Sequence, residues 1–332
     1  MKKKSVFLLL ALILFVVCKK EKPFQEAALQ NEASQEKPPI FASLVSDGDK
    51  KMKAGSYRKA VEDYTRALAL APLSLECLNK RGKAKSALRD FTGALADFDK
   101  AVQIAPRDLQ SLINRGGVKY MRGEHEEALK DYGRAVETDS ACFEALYQMG
   151  LIRSALGDFA GALNDFNRCI AVNDAYARAY NARGLVKDKL GRHNEAVTDF
   201  SIAITLDASL ISAWFNRANA KDTLMDYAGA LADYSKASLL EPRNFFVQLA
   251  LGLTKSKLHD FAGAEKNFGA AITMRPDYGM AYIARSKVRQ ELGNYRGALA
   301  DCEEALKVNS KDEDAMLLRS VLYMEMAMSE QE

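Results

Sequence analysis

The sequence predicts an all-α chain folded as a solenoid of paired helices, and three observations carry that prediction. One pattern recurs every 34 residues from Phe41 to Asp312 without a single insertion. Within it, position 20 is always alanine, position 8 is small and position 24 is aromatic in seven of eight copies. Each copy also holds two stretches of helical periodicity separated by a turn. A single helix pair of this size cannot bury its own apolar face, so the stable object is the stack.

Taken in order, residues 1–17 come first. Met1–Lys4 is basic, and Ser5 to Val17 is an apolar run. A membrane span needs about 20 apolar residues, so this run is too short and matches the core of an export signal. The run ends at Cys18, followed at once by Lys19-Lys20. This resembles a bacterial lipoprotein signal, which implies lipidation of Cys18, although Val17 stands where that family prefers a smaller residue. The alternative is an uncleaved signal anchor. Both place the remaining chain outside the cytoplasm, in the cell envelope and anchored at its N-terminus. Residues 18–40 are polar and carry three prolines, and such a segment does not offset the entropy of ordering it. It is expected to be a flexible tether.

The repeats occupy 41–312 and start at Phe41, Leu75, Leu109, Phe143, Ala177, Ile211, Phe245 and Gly279. Position 8 reads Gly48, Gly82, Gly116, Gly150, Gly184, Ala218, Gly252 and Ser286, which lets two helices approach closely. Position 24 reads Tyr64, Phe98, Tyr132, Phe166, Phe200, Tyr234 and Phe268, then Cys302 in repeat eight. These rings, with small residues at position 27, are expected to fill the joint with the next repeat. Prolines at position 32 (Pro72, Pro106, Pro242, Pro276) are expected to stop the second helix. Residues 313–332 supply a ninth first helix over Glu313 to about Met328, a capping helix with a short tail.

The repeat pattern closely resembles the tetratricopeptide repeat. That resemblance implies a right-handed superhelix of antiparallel helix pairs, with the first helices lining a concave groove, and a non-catalytic protein that binds other proteins or peptide segments. No cofactor or metal is expected. His125-Glu126 begins like a zinc motif, but Leu129 replaces the second histidine. No nucleophile elbow or phosphate loop occurs. Basic and acidic residues number 47 and 44, and the excess lies in Lys2–Lys4, so nucleic acid is not an expected partner. The five cysteines form no CxxC pair, and Cys169 and Cys302 occupy core positions.

Two departures from the family pattern stand out. Position 11 is basic in every repeat, and position 7 is Arg81, Arg115, Arg183, Arg217 and Arg285 in five. Position 23 is acidic in seven: Asp63, Asp97, Asp131, Asp165, Asp199, Asp233 and Asp301. Matched opposite charges at recurring positions predict an ion-pair ladder; the alternative is a basic stripe for an acidic partner. By resemblance, groove-facing positions hold Asn79, Asn114, Tyr120, Tyr147, Asn181, Phe215, Asn216, Phe246 and Leu249. A carboxylate clamp is not supported, because Glu144 and Gln148, or Phe246 and Ala250, stand where its cations belong. The expected ligand is an extended or helical protein segment, neutral on balance, bound between repeats three and six. The expected function is a membrane-tethered, extracytoplasmic interaction scaffold serving envelope assembly or secretion. A self-associating solenoid and an enzyme-recruiting adaptor are the alternatives. Leu317, Leu318, Leu322, Met324, Met326 and Met328 make the last helix apolar enough to dock a second copy or a partner.

Overall fold

A computed structural model describes residues 38–329; the expected signal, Cys18 and most of the tether lie outside the described residues. Seventeen α-helices and no strands occur among the described residues. The first helices are α1 (Pro39–Lys53), α3 (Leu75–Ala87), α5 (Leu109–Met121), α7 (Phe143–Ala155), α9 (Ala177–Lys189), α11 (Ile211–Thr223), α13 (Phe245–Lys257) and α15 (Gly279–Glu291). The second helices are α2 (Tyr57–Leu70), α4 (Phe91–Ile104), α6 (His125–Thr138), α8 (Phe159–Val172), α10 (His193–Leu206), α12 (Tyr227–Leu240), α14 (Phe261–Met274) and α16 (Tyr295–Val308). The last helix, α17 (Glu313–Ser329), starts where a ninth repeat would. None of these helices is long and apolar enough to cross a membrane. The chain divides into two compact blocks, one ending at Leu156 and one beginning at Gly157.

The start of each second helix is written into the preceding turn. Asp90, Asp158, Asp226, Asp260 and Asn294 cap these helices through side-chain oxygens that accept from the backbone N–H three residues on. The turn residue at position 15 has a left-handed backbone, with φ between 71° and 83° at the five glycines. Arg89, Met225 and His259 adopt the same conformation with φ of 60–63°, which a side chain opposes.

The ends correct one expectation. Every second helix stops at position 30, whether position 32 is proline (Pro72) or not (Ser140, Asp174, Ala208). In each case residue 31 leaves the helix with φ between −130° and −143°, and its N–H returns to the position-27 carbonyl. Proline is therefore tolerated beyond the end and does not set it.

The core follows the repeat. Ala60, Ala94, Ala128, Ala196, Ala230, Ala264 and Ala298 at position 20 are fully enclosed, as are the rings of Tyr64 and Phe200 at position 24. A Cβ added at Gly184 would lie 2.7 Å from the Phe200 ring, so glycine there is what admits the ring. The joints between repeats are apolar clusters: Phe41, Leu44, Val45, Ala67, Cys77 and Leu78 form one in the first block. Ala281, Ile283, Cys302, Ala305, Leu318 and Leu322 form one in the second, sealing α17 onto α15 and α16. Cys77, Cys142, Cys169 and Cys302 are buried, and burial pushes the Cys142 and Cys302 thiols up in pKa. They act as small apolar groups.

Candidate functional site

The charged positions resolve into the ladder, and six of the seven aspartates pair within their own repeat. Arg217 donates from Nε and Nη2 to the two oxygens of Asp233 at 2.8 and 2.7 Å, and Lys221 Nζ adds a contact at 2.8 Å. The same fork joins Arg81 to Asp97, Arg115 to Asp131, Arg183 to Asp199 and Arg285 to Asp301. Lys51 pairs with Asp63 in repeat one. These aspartates are buried and the ladder arginines largely so. Hydrogen bonding to Asp131 and Asp301 holds the Arg115 and Arg285 guanidinium groups above their ordinary pKa.

The remaining arginine nitrogen reaches the preceding repeat. Nη1 of Arg81, Arg115, Arg183 and Arg217 bonds Thr65, Asp99, Asn167 and Ser201, all at position 25. One guanidinium thus ties a first helix to its own second helix and to the one before. In the second block an aromatic at position 4 stacks on it, as Trp214 does on Arg217 at 5.0 Å. These cations are committed inside the fold, so the positions 7 and 11 stripe is not an open basic surface. Repeat seven lacks both members: Leu251 stands at position 7, and Asn267 accepts from Lys255 and donates to Gln248 instead.

On each first helix the groove positions 2 and 6 lie farthest round from the packed position 8, with 5 and 12 bordering it three residues before and four after. Asparagines at positions 5 and 6 of adjacent repeats meet. Asn114 Nδ2 donates to Asn79 Oδ1 at 3.1 Å, and Asn216 Nδ2 donates to Asn181 Oδ1 at 3.0 Å. The two pairs differ in what is left over. Asn79 is buried, and its amide also donates to Ser111 and Asp108, while Asn114 accepts from Gln110. Asn79 is thus spent on the joint between repeats, a use its position alone did not reveal. At the second pair, Asn181 Nδ2 and Asn216 Oδ1 make no hydrogen bond among the described residues, and both side chains are half-buried. That pair offers one donor and one acceptor outward.

The aromatic and apolar candidates separate by exposure. Phe215 is half-buried and meets Tyr234 edge-on at 5.5 Å, and Leu249 packs on the core of repeats seven to nine. Tyr120 is half-buried with its ring 5.3 Å from the His125 imidazole, and Tyr147 is half-buried on α7. Phe246 is the open one, 60% exposed. Three exposed apolar residues at groove positions were missed: Leu185 and Leu253 at position 9 and Met280 at position 2. Their signal was present, since each is apolar at a position where a solvated helix would be polar. In the first block the corresponding surface is charged instead. A pocket of about 460 Å³ between α1 and α3 has Phe41, Ala42 and Val45 on one wall and Asp49, Glu76 and Lys80 on the other. Lys80 pairs with both acids.

The 34-residue period, the position 8/24 contact and the helix ends at fixed positions identify the repeat type, and the tetratricopeptide repeat family model matches residues 48–108, 79–141 and 147–211. Over those residues the chain matches tetratricopeptide repeats. A tetratricopeptide repeat protein from Parabacteroides merdae is similar in structure at 20% identity, with a TM-score of 0.52 over 85% of this chain and 98% of that one. The structure titled for pilF of Pseudomonas aeruginosa is similar at 15% identity and a TM-score of 0.57, over 64% of this chain and 96% of that one. At these identities the likeness shows the fold. No curated protein matches the chain. A tetratricopeptide fold suggests a protein-interaction scaffold, and no group of His, Cys, Asp and Glu able to hold a metal occurs among the described residues.

Proposed function

We propose that this protein is a membrane-tethered, extracytoplasmic and non-catalytic scaffold that holds segments of other proteins against the first-helix face of its second block. The half-used Asn181–Asn216 pair carries this reading. A peptide bond presents one N–H and one C=O, and the pair presents their complements without regard to the ligand's side chains. Leu185, Phe246 and Leu253 supply apolar anchors beside it, the kind of contact that carries most binding energy. In the first-block pocket Lys80 is already paired with Asp49 and Glu76, which favours a ligand that is neutral on balance. The short apolar run ending at Cys18 supports the anchor and the envelope location, and assembly or secretion is the process such a placement serves.

Two experiments test this. A photoreactive residue at Phe246 should cross-link a defined partner in cells, and Asn181→Ala with Asn216→Ala should reduce that yield several-fold at unchanged helicity. Undiminished yield would remove the amide pair from the site. Separately, Cys18→Ala should abolish lipid labelling and release the chain from the membrane. A variant that stays bound, with a wild type that is unlabelled and keeps Met1, would establish the signal anchor instead.

A further inference from the structure

On the other first helices, that of repeat four aside, the face bearing positions 4, 8 and 11 is covered by the repeat's own second helix, with the position-24 side chain seated against position 8. On α17 those positions are Met316, Ser320 and Tyr323, and no second helix follows among the described residues. Ala315, Leu318 and Leu322 are buried against α15 and α16. At 100° per residue, Ser320 points directly away from them. Around it, Met316, Leu317, Tyr323, Met324 and Met328 are exposed, Leu317 and Met328 by more than two-thirds. Arg319 and Glu325 fall off this face on the helical wheel, and Glu325 is bonded to Gln290. From Met316 to Met328 the face is uncharged.

We infer that this face of α17 is an interface for a second copy of the chain, paired antiparallel about a two-fold axis near Ser320. The face is self-complementary in that register. Turning it about Ser320 places Met316 opposite Met324 and Leu317 opposite Tyr323, which is the condition for an isologous contact. The residue on the axis is small, as position 8 is throughout the array, so two helices can approach there. Charge sets the direction. Glu313 is the one acid that shares this face, and a parallel pair would set the two copies of it side by side. The antiparallel pair separates them by about 20 Å at 1.5 Å per residue, and also opposes the helix dipoles. Five exposed apolar side chains amount to roughly 500 Å² per copy, a patch size that marks an interaction site. Two such faces bury on the order of 1,000 Å², at the low end of specific interfaces, so the dimer is expected to dissociate in the micromolar range.

The test uses the full chain in non-ionic detergent. Sedimentation velocity should show a concentration-dependent monomer–dimer equilibrium. Leu317→Asp with Met324→Asp should weaken it at least about tenfold with circular dichroism unchanged, both residues being exposed. Met328→Glu, nearer the end of the helix, gives a milder version of the same loss. Ser320→Cys should yield a disulfide-linked dimer on mild oxidation, well above a Thr198→Cys control, because a residue on the axis meets its own copy within bridging distance. A monomer at all concentrations overturns the inference. So does an association that survives the aspartate pair, which would place it elsewhere in the chain. Loss of the dimer in that variant without cross-linking through Ser320→Cys overturns the antiparallel register. Capture of a different protein by α17 from a monomeric wild type overturns the second copy as occupant.

Discussion

Replacing Asp233 with alanine isolates what the ladder contributes. Asp233 is buried, accepts two short hydrogen bonds from Arg217 and is ion-paired with Lys221 at 2.8 Å. Its loss leaves both cations facing a small apolar side chain. Breaking a fully buried pair costs about 3–5 kcal/mol because of the charge left behind, whereas an exposed pair is worth under about 1 kcal/mol. The Arg217 and Lys221 side chains keep 17% and 20% of their exposure, so they rehydrate in part, and Arg217 retains Ser201 and the Trp214 face. The expected loss is therefore about 2–4 kcal/mol, between those limits. A long array need not unfold in one step, so the assay is native-state hydrogen exchange on repeat-six amides, with urea unfolding alongside. Repeat seven provides the control, since it dispenses with the pair. Arg217→Leu together with Asp233→Asn copies Leu251 and Asn267 and should recover more than half of the loss. A change below about 0.5 kcal/mol for Asp233→Ala, or a double variant worse than the single, would refute the stranded-charge argument.

Three further outcomes are expected. Gly184→Leu should destabilise repeat five by about 1–3 kcal/mol or more, since even its Cβ would lie 2.7 Å from the Phe200 ring; adding Phe200→Ala should restore part of this, and melting curves read both. Met225→Gly and His259→Gly, at φ of 63° and 60°, should each raise stability by about 0.5–1 kcal/mol in urea titration, by relieving a left-handed backbone. Burial opposes ionisation of Asp49, but hydrogen bonds from Lys80 and Tyr64 outweigh it and hold its pKa below 3.8. A depressed pKa gives stability that is fully present above the unfolded value and is lost as pH falls through the folded one. The carboxyl shift followed by NMR should therefore titrate below 3.8, and Lys80→Met should move that midpoint upward.

The sequence by itself determined the period, the phase of every helix and the identity of the core. Those features depend on contacts within one repeat or between neighbours, so they recur at constant spacing and are visible as columns: Gly184 against Phe200 is the same event as Gly252 against Phe268. The ladder was legible as matched columns of charge, but not whether each aspartate pairs within its repeat or across the joint, because either pairing has the same period. Only the folded geometry, with Nε and Nη2 on the repeat's own aspartate and Nη1 on the preceding helix, decided that. The groove was the least legible part. Asn79 and Asn181 share a position and a partner column, yet Asn79 is enclosed with Ser111 and Asp108 while Asn181 keeps a free donor. That difference comes from the residues that happen to sit across the joint in the next repeat, and no position in the 34-residue pattern specifies them. The same holds at the end of the array, where α17 has the pattern of a first helix, and only the absence of a covering second helix among the described residues makes its apolar side a surface.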